Sequence, residues 1–99
     1  MALQQETKET IIRYALEFLD SYFVNRKNPP HGDTVMTSRG MTKYMPEANS
    51  YFIWKVQLYL QNEGVIKSEE NDTNTKLFTI YNERGRKLLK RLRANQKTS

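Results

Sequence analysis

The chain has 99 residues, a formal net charge of +5 and no cysteine. This length allows one small domain, residues 1–99, with a modest core, and a chain without thiols forms neither disulfides nor thiolate metal sites. No run approaches the roughly 20 apolar residues that span a bilayer, and Gln4, Gln5 and Glu6 are polar where a secretion signal would be apolar. We therefore expect a cytoplasmic protein with no membrane partner.

The first predicted element is a helix over residues 5–25. Two apolar stripes of helical period run along it. One consists of Ile12, Ala15, Leu16, Leu19, Tyr22 and Phe23, and the other of Ile11, Tyr14 and Phe18. Such a wide apolar surface indicates a helix packed on two sides. Either a second subunit of a homodimer or the C-terminal helix of the same chain would cover the second stripe.

Two shorter helices are predicted after a loop at 26–33 that contains Pro29-Pro30. The first begins at Ser38, capped by the Thr37 hydroxyl, and ends near Met45 before Pro46. After a turn at 46–49, the second runs over 50–63, with Asn49 or Ser50 as its cap and Gly64 as its left-handed stop. Its inward stripe is Ile53, Val56 and Leu60, with Phe52 or Tyr59 at the edge.

Two strands and a last helix complete the pattern. Residues 65–67 and 76–81 are predicted strands around a polar turn at 68–75. The last helix begins near Glu83, capped by Asn82, and carries the apolar stripe Leu88, Leu89 and Leu92, whereas residues 94–99 are expected to fray.

The positive charge of the chain lies in this last segment. Residues 1–82 carry nine basic and ten acidic side chains, whereas residues 83–99 carry seven basic ones and one acidic one, Glu83. A polyanionic partner explains such an asymmetry. A solvated helix face that aids solubility is the alternative explanation.

Two segments carry a resemblance to a known superfamily. Leu60-Gln61-Asn62-Glu63-Gly64-Val65-Ile66 resembles the stop that ends recognition helices of winged-helix regulators. The run from Phe78-Thr79-Ile80-Tyr81 through Asn82-Glu83-Arg84-Gly85 to Arg86-Lys87-Leu88-Leu89 resembles the passage from their wing into the following helix. In order, residues 10–92 are similar to the winged helix-turn-helix superfamily. PadR-like repressors and small plasmid or phage DNA-binding proteins are similar in size and layout.

The resemblance implies a mostly helical α+β fold, with three helices, a β-hairpin wing and a fourth helix. It implies double-stranded DNA binding, sequence-selective or AT-preferring, by a small transcriptional regulator or a plasmid or phage segregation adaptor, nucleoid-associated in the cell. The outward face of the third helix would consist of Ser50, Tyr51, Trp54 and Lys55, with Leu58 beside them. Phosphate contacts would come from Ser38, Arg39 and Lys43. The basic residues of the last helix would either add phosphate contacts or lie beside a dimer seam; they are Arg84, Arg86, Lys87, Lys90 and Arg91.

Two features depart from that pattern. The wing carries Glu69, Glu70 and Asp72, and carboxylates next to phosphate repel it. The third helix is aromatic, with Tyr51, Phe52, Trp54 and Tyr59, whereas base readout usually employs Arg, Asn or Gln. An aromatic helix face is typical of a protein interface, so a winged-helix protein-interaction module is the alternative function.

Residues for catalysis or metal binding are sparse. His31, the single histidine, lies in the Pro/Gly-flanked loop and is interpreted as a solvated side chain. Glu69, Glu70, Asp72 and Asn74 lack the glycine and terminal glutamate of a calcium loop. The four glycines are isolated, so no phosphate-binding loop is present. We therefore expect no enzyme activity, no metal and no cofactor.

Overall fold

A computed structural model of the chain describes the backbone of residues 2–70 and 76–97 and the side chains of residues 7–70 and 76–96. The described part is α+β and mostly helical, as predicted. In chain order, its elements are α1 (Ala2–Phe23), β1 (Thr34–Thr37), α2 (Ser38–Met41), a 3-10 turn (Thr42–Tyr44), α3 (Ser50–Asn62), β2 (Ile66–Glu70), β3 (Lys76–Ile80) and α4 (Asn82–Lys97). The strands form one antiparallel sheet in the order β1-β3-β2. Within these ranges, no helix is long and apolar enough to cross a membrane.

Helix α1 is covered on two sides by its own chain. It packs against both α3 and α4, and Ala15, Phe18 and Leu19 are fully buried. The stripe that contains Tyr14 and Phe18 meets α3 and the 3-10 turn, because the Tyr14 ring lies 5.7 Å from that of Phe52 and the Phe18 ring 5.8 Å from that of Tyr44. Tyr14 and Phe18 of the second stripe therefore pack within the chain, against α3 and the 3-10 turn, whereas Ile11 of that stripe is only half-buried.

This packing supplies an intramolecular reason for the wide apolar surface of α1, which was the observation behind the predicted homodimer. The homodimer stays a prediction. Light scattering at micromolar concentration tests it, with twice the chain mass of 11.7 kDa as the expected result and a monomer as the contrary one.

Local signals set the start of α2 and the start and stop of α3 as predicted, whereas α2 ends at Met41, earlier than expected, and a 3-10 turn continues to Tyr44. The Thr37 hydroxyl accepts a hydrogen bond from the Gly40 N–H at 3.0 Å, and the Asn49 side chain accepts one from the Phe52 N–H at 3.0 Å. These side chains satisfy N–H groups that have no partner within the helix. Helix α3 ends at Asn62, and Gly64 follows with φ 75°, a left-handed conformation that glycine adopts without a steric penalty. Val56 and Leu60 of α3 are fully buried.

The sheet has a strand that sequence analysis did not predict. Strand β1 pairs with β3 from Thr34↔Ile80 to Thr37↔Leu77. Strand β2 is also longer than expected, because residues 68–70, predicted as part of a polar turn, pair with β3 as far as Glu70↔Lys76. Both differences have the same cause. A strand forms by pairing with another segment, and for β1 and the end of β2 that segment lies far away in sequence or across a turn. The remainder of the predicted turn, 71–75, lies outside the described residues.

Helix α4 begins one residue earlier than predicted. Asn82 is its first residue rather than its cap, and its backbone N–H donates to Asp33 Oδ1 at 2.9 Å. A carboxylate from the 24–33 loop therefore stabilises the positive end of this helix. Leu88, Leu89 and Leu92 are buried as predicted. The helix is assigned as far as Lys97, and the fraying of 94–99 stays a prediction.

Gly85 allows α4 to approach α1 closely, so Gly85→Ala is expected to destabilise the fold. A Cβ at this position would overlap Cε2 and Cζ of the buried Phe23 ring. Overpacking of about 1–3 kcal/mol outweighs the roughly 1 kcal/mol gained by helix propensity. Urea denaturation measures the loss.

Gly40→Ala is the matched control. A Cβ there would meet Thr37 Oγ1 at 3.4 Å and Met36 Cβ at 3.6 Å, which are ordinary contacts, so the variant should be as stable as the parent or slightly more so. Equal losses of stability in both variants would contradict the role assigned to the Phe23–Gly85 contact.

Candidate nucleic-acid interface

The solvent-facing side of α3 carries a row of large apolar side chains. Tyr51, Trp54 and Leu58 are 49%, 51% and 37% exposed, and their spacing places them on one side of the helix. The Tyr51 and Trp54 rings lie 6.3 Å apart between centroids. We name these three residues the aromatic ridge. The ridge separates two depressions, one toward α2 and the other toward α1.

The first depression, the α2–α3 concavity, is polar and basic. It has a volume of about 530 Å³ and is lined by Ser38, Arg39, Thr42, Ser50, Ile53, Trp54, Gln57 and Lys76. Two cations and three hydroxyl groups therefore converge there. None of the described residues that line it is acidic, although Glu70, which is not part of the lining, lies opposite Lys76 in the β2–β3 register. The Thr42 hydroxyl already donates to the Arg39 carbonyl at 2.6 Å, so the two cations and the Ser38 and Ser50 hydroxyl groups are the remaining donors. They match an anion with several oxygen acceptors, such as a phosphodiester.

Gln57 fixes the floor of this concavity. It is only 5% exposed, and its Nε2 donates to Ser38 Oγ at 2.8 Å and contacts Met41 Sδ at 3.8 Å. A buried amide needs such partners, because leaving it unsatisfied costs about 1–3 kcal/mol. Ser38 therefore holds α2 against α3, in addition to lining the concavity.

The second depression, the α1–α3 groove, is mostly apolar. Its volume is also about 530 Å³, and it is lined by Thr7, Lys8, Ile11, Ile12, Tyr51, Lys55, Leu58, Tyr59 and Asn62. Burial raises the pKa of the Tyr59 hydroxyl, and the negative charge of Glu63 raises it further, against the opposite effect of Arg91. The phenol is protonated at neutral pH, as tyrosine ordinarily is, and can donate a hydrogen bond.

The residues predicted to bind DNA are divided between several surfaces. Ser38, Arg39, Ser50 and Trp54 meet in the concavity, whereas Tyr51 and Lys55 line the groove. Lys43 lies on the 3-10 turn and is exposed, but it lines neither depression. The Lys55 ammonium lies 5.5 Å from the Trp54 ring centroid, so Lys55 connects the groove to the ridge.

The predicted basic residues of α4 are mostly engaged within the chain. Arg84 donates to the Gly64 carbonyl at 3.2 Å, and Arg86 donates to the Pro30 carbonyl at 2.9 Å. Lys87 pairs with Glu83 at 3.2 Å, and Arg91 pairs with Glu63 at 2.6 Å. Of the five, Lys90 alone has no hydrogen bond or ion pair to a described residue.

Arg91 of α4 forms an exposed ion pair with Glu63, the residue that directly follows α3. Both carboxylate oxygens accept from Arg91 Nη2, at 2.6 and 2.9 Å. These hydrogen bonds and the negative charge of Glu63 raise the pKa of Arg91, which is charged at every physiological pH in any case. Arg91 lies beside the C-terminal end of α3, whereas Ser50 and Tyr51 lie at its N-terminal end, roughly 18 Å away at 1.5 Å per residue.

The predicted acidic wing is partly neutralised. Glu69 lies 3.7 Å from Lys67 Nζ, and Glu70 is opposite Lys76 in the β2–β3 register. Asp72 and Asn74 lie outside the described residues. The carboxylates therefore have cationic neighbours on the same sheet, and one of those cations, Lys76, also lines the concavity.

Four residues that shape these surfaces were not among the predicted site residues: Thr42, Gln57, Lys76 and Lys8. Gln57 is polar at a position of α3 that faces inward, which is a weak local signal. Lys76 begins a strand and Lys8 lies on the first helix, and neither is marked by a motif. Their positions in the concavity and the groove depend on tertiary packing alone.

No protein-family model matches this chain, and no curated protein or solved structure matches it either. Among the described residues, no group of three or more His, Cys, Asp or Glu side chains has the arrangement of a metal site. Function is therefore inferred from the surfaces of the chain itself.

Proposed function

We propose that this chain is a winged helix-turn-helix protein that binds double-stranded DNA. The order α1-β1-α2-α3-β2-β3-α4 supports the proposal, with β1 as a third strand beside the two strands of the wing. So does the junction of α2 and α3, two helices that are joined by a short connection and capped by Thr37 and Asn49. Fold alone does not determine function, so the DNA-binding part depends on the surface.

The α2–α3 concavity carries the proposal. Arg39 and Lys76 line it, Ser50 adds a hydroxyl donor, and no acidic side chain is among the described residues that line it. The Thr42 hydroxyl donates to the Arg39 carbonyl at 2.6 Å, so it can only accept a further hydrogen bond. Phosphate contacts of this kind supply most of the affinity of DNA-binding proteins and make it dependent on salt. In the proposed complex, Arg39 and Lys76 contact the DNA backbone on either side of α3.

Helix α3 would enter the major groove with its N-terminal turns. Ser50 and Tyr51 occupy the first turn, and Trp54 and Lys55 the second. The Ser50 hydroxyl hydrogen-bonds base edges or phosphate, and the exposed rings contact thymine methyl groups or sugars. An aromatic reading face with few hydrogen-bonding groups favours a preference for AT-rich sites over strict base readout.

The proposed interface makes a quantitative prediction for Arg39→Gln and Lys76→Gln. Each variant removes one phosphate contact, so the slope of log affinity against log salt concentration should decrease in magnitude by about 0.9. The affinity itself should fall on random and AT-rich duplexes alike, because phosphate contacts carry no sequence information. Fluorescence anisotropy with labelled duplexes over a salt series measures both quantities.

Lys90→Gln is the matched control, since it removes one positive charge from α4. Lys90 forms no hydrogen bond or ion pair with a described residue, so no such contact is lost. The salt slope of this variant should equal that of the parent if the concavity is the phosphate-binding surface. A slope reduced by Lys90→Gln and unchanged by Lys76→Gln would assign DNA to the α4 face instead. No salt-sensitive binding of the parent to any duplex at low ionic strength would overturn the proposal.

A protein-interaction module is the second candidate, and the aromatic ridge favours it. Tyr51 and Trp54, at 49% and 51% exposure on one helix face, are typical of the aromatic anchors of protein interfaces. In this alternative, α3 docks on another protein and the cations at the rim affect association rate more than affinity.

Trp54→Ser distinguishes the two candidates. Trp54 is the single tryptophan and half exposed, so its removal should leave the fold intact. With a purified protein partner, a loss of about 2 kcal/mol or more in Trp54→Ser and little change in Lys76→Gln would identify a hot spot of a protein interface. The reverse pattern, with duplex DNA as the ligand, is expected if DNA is the partner.

A further inference from the structure

The α1–α3 groove has the composition of a small-molecule site. Its volume of about 530 Å³ falls within the range of roughly 300–1,000 Å³ that is common for ligand sites. Ile11 and Ile12 of α1 form one wall, and Leu58 and Tyr59 of α3 form the other. These side chains are apolar over most of their surface, so an apolar ligand body would be desolvated between the two helices.

Two ammonium groups flank this apolar groove, Lys8 from α1 and Lys55 from α3. Neither forms an ion pair within the described part of the chain, where the ion pairs involve other cations. None of the described residues that line the groove is acidic. The groove therefore joins apolar walls to an uncompensated positive charge, which selects a ligand that is apolar at one end and anionic at the other.

We propose that the α1–α3 groove binds a small amphiphilic carboxylate, with its apolar chain between Ile12 and Leu58 and its carboxylate between Lys8 and Lys55. The protonated Tyr59 hydroxyl and the Asn62 amide line the same groove and can donate further hydrogen bonds to the carboxylate. No covalent step is involved. Affinity comes from apolar burial, and the two lysines set the preference for a charged head group.

Occupancy of the groove has a consequence that rests on the proposed DNA-binding function. Tyr51 and Lys55 line the groove and also belong to the first two turns of α3, which would enter DNA. A carboxylate that pairs with Lys55 therefore removes a cation from the DNA interface and adds a negative charge beside it. The ligand would act as a negative effector of DNA binding.

Octanoate and octan-1-ol form a suitable probe pair, because they share a chain length and differ in the charge of the head group. Trp54 is outside the groove, but its ring contacts the Lys55 ammonium at 5.5 Å, so its fluorescence reports on Lys55. Titration of the full chain, below the concentration at which octanoate forms micelles, should give saturable changes. Octanoate should bind about three to ten times more tightly than octan-1-ol, which is the effect of two exposed ion pairs.

The double variant Lys8→Gln/Lys55→Gln should bind both probes with equal affinity, since it retains the apolar walls and loses both charges. Lys43→Gln/Lys90→Gln is the matched control, with the same change in net charge at two exposed positions that do not line the groove, and should preserve the preference for octanoate. Leu58→Gln should weaken both probes alike, because it makes one wall polar and retains good helix propensity.

Absence of saturable binding, equal affinity of the parent chain for both probes, or equal effects of the two double variants would each overturn the site. The effector role is tested separately, by adding octanoate or octan-1-ol to the duplex titration. A lowered DNA affinity with octanoate supports the role, and an unchanged affinity at saturating octanoate overturns it. If octanoate binds and no duplex does, the site stands and the proposed function fails. If a duplex binds and octanoate does not, the opposite holds.

Discussion

The pairing of β1 with β3 is the constraint on which the candidate interface depends. The last pair of this ladder is Thr37↔Leu77. Thr37 is also the cap of α2, through its hydrogen bond from Gly40, and Leu77 directly follows Lys76. One backbone register therefore determines both where α2 begins and where Lys76 lies relative to it. A shift by one residue would turn Lys76 to the other face of the sheet and separate it from Arg39.

Helix α3 contributes side chains to the core, to the α2–α3 concavity and to the outer surface, and its composition differs among these three faces. Val56 and Leu60 face the core, while Gln57 bonds to Ser38 and closes the floor of the concavity. The remaining positions form the aromatic ridge and the walls of the two depressions. Tyr51 and Trp54 are about half exposed, so much of their apolar surface is free to contact the proposed ligand.

The sequence predicted what is decided within a few residues of the chain. The caps at Thr37 and Asn49 and the stop at Gly64 were found because a hydroxyl, an amide and a glycine act on their own helix ends. Strand β1 was missed because four residues, Thr34–Thr37, become a strand only by pairing with residues 40 to 46 positions away. Asp33 was missed as the partner of α4 for the same reason, since its contact with Asn82 joins a loop to a distant helix.

The charge distribution along the sequence was a poor guide to the charge distribution on the surface. Residues 83–99 hold the excess of basic side chains. However, Glu63 pairs with Arg91 and Asp20 pairs with Arg93, and these acidic partners lie far away in the sequence. Arg84 and Arg86 are directed to backbone carbonyl groups, and a guanidinium held in such a geometry is less free to reorganise around a phosphate. The cations without carboxylate partners near α3 are fewer, but they converge in depressions whose described lining has no acidic residue. Unlike charges cancel over a few ångströms, and salt screens charges over roughly 10 Å. An anion therefore binds where the nearby cations have no carboxylate partner. That criterion is the reason why the proposed anion sites lie on either side of the aromatic ridge rather than on the basic helix.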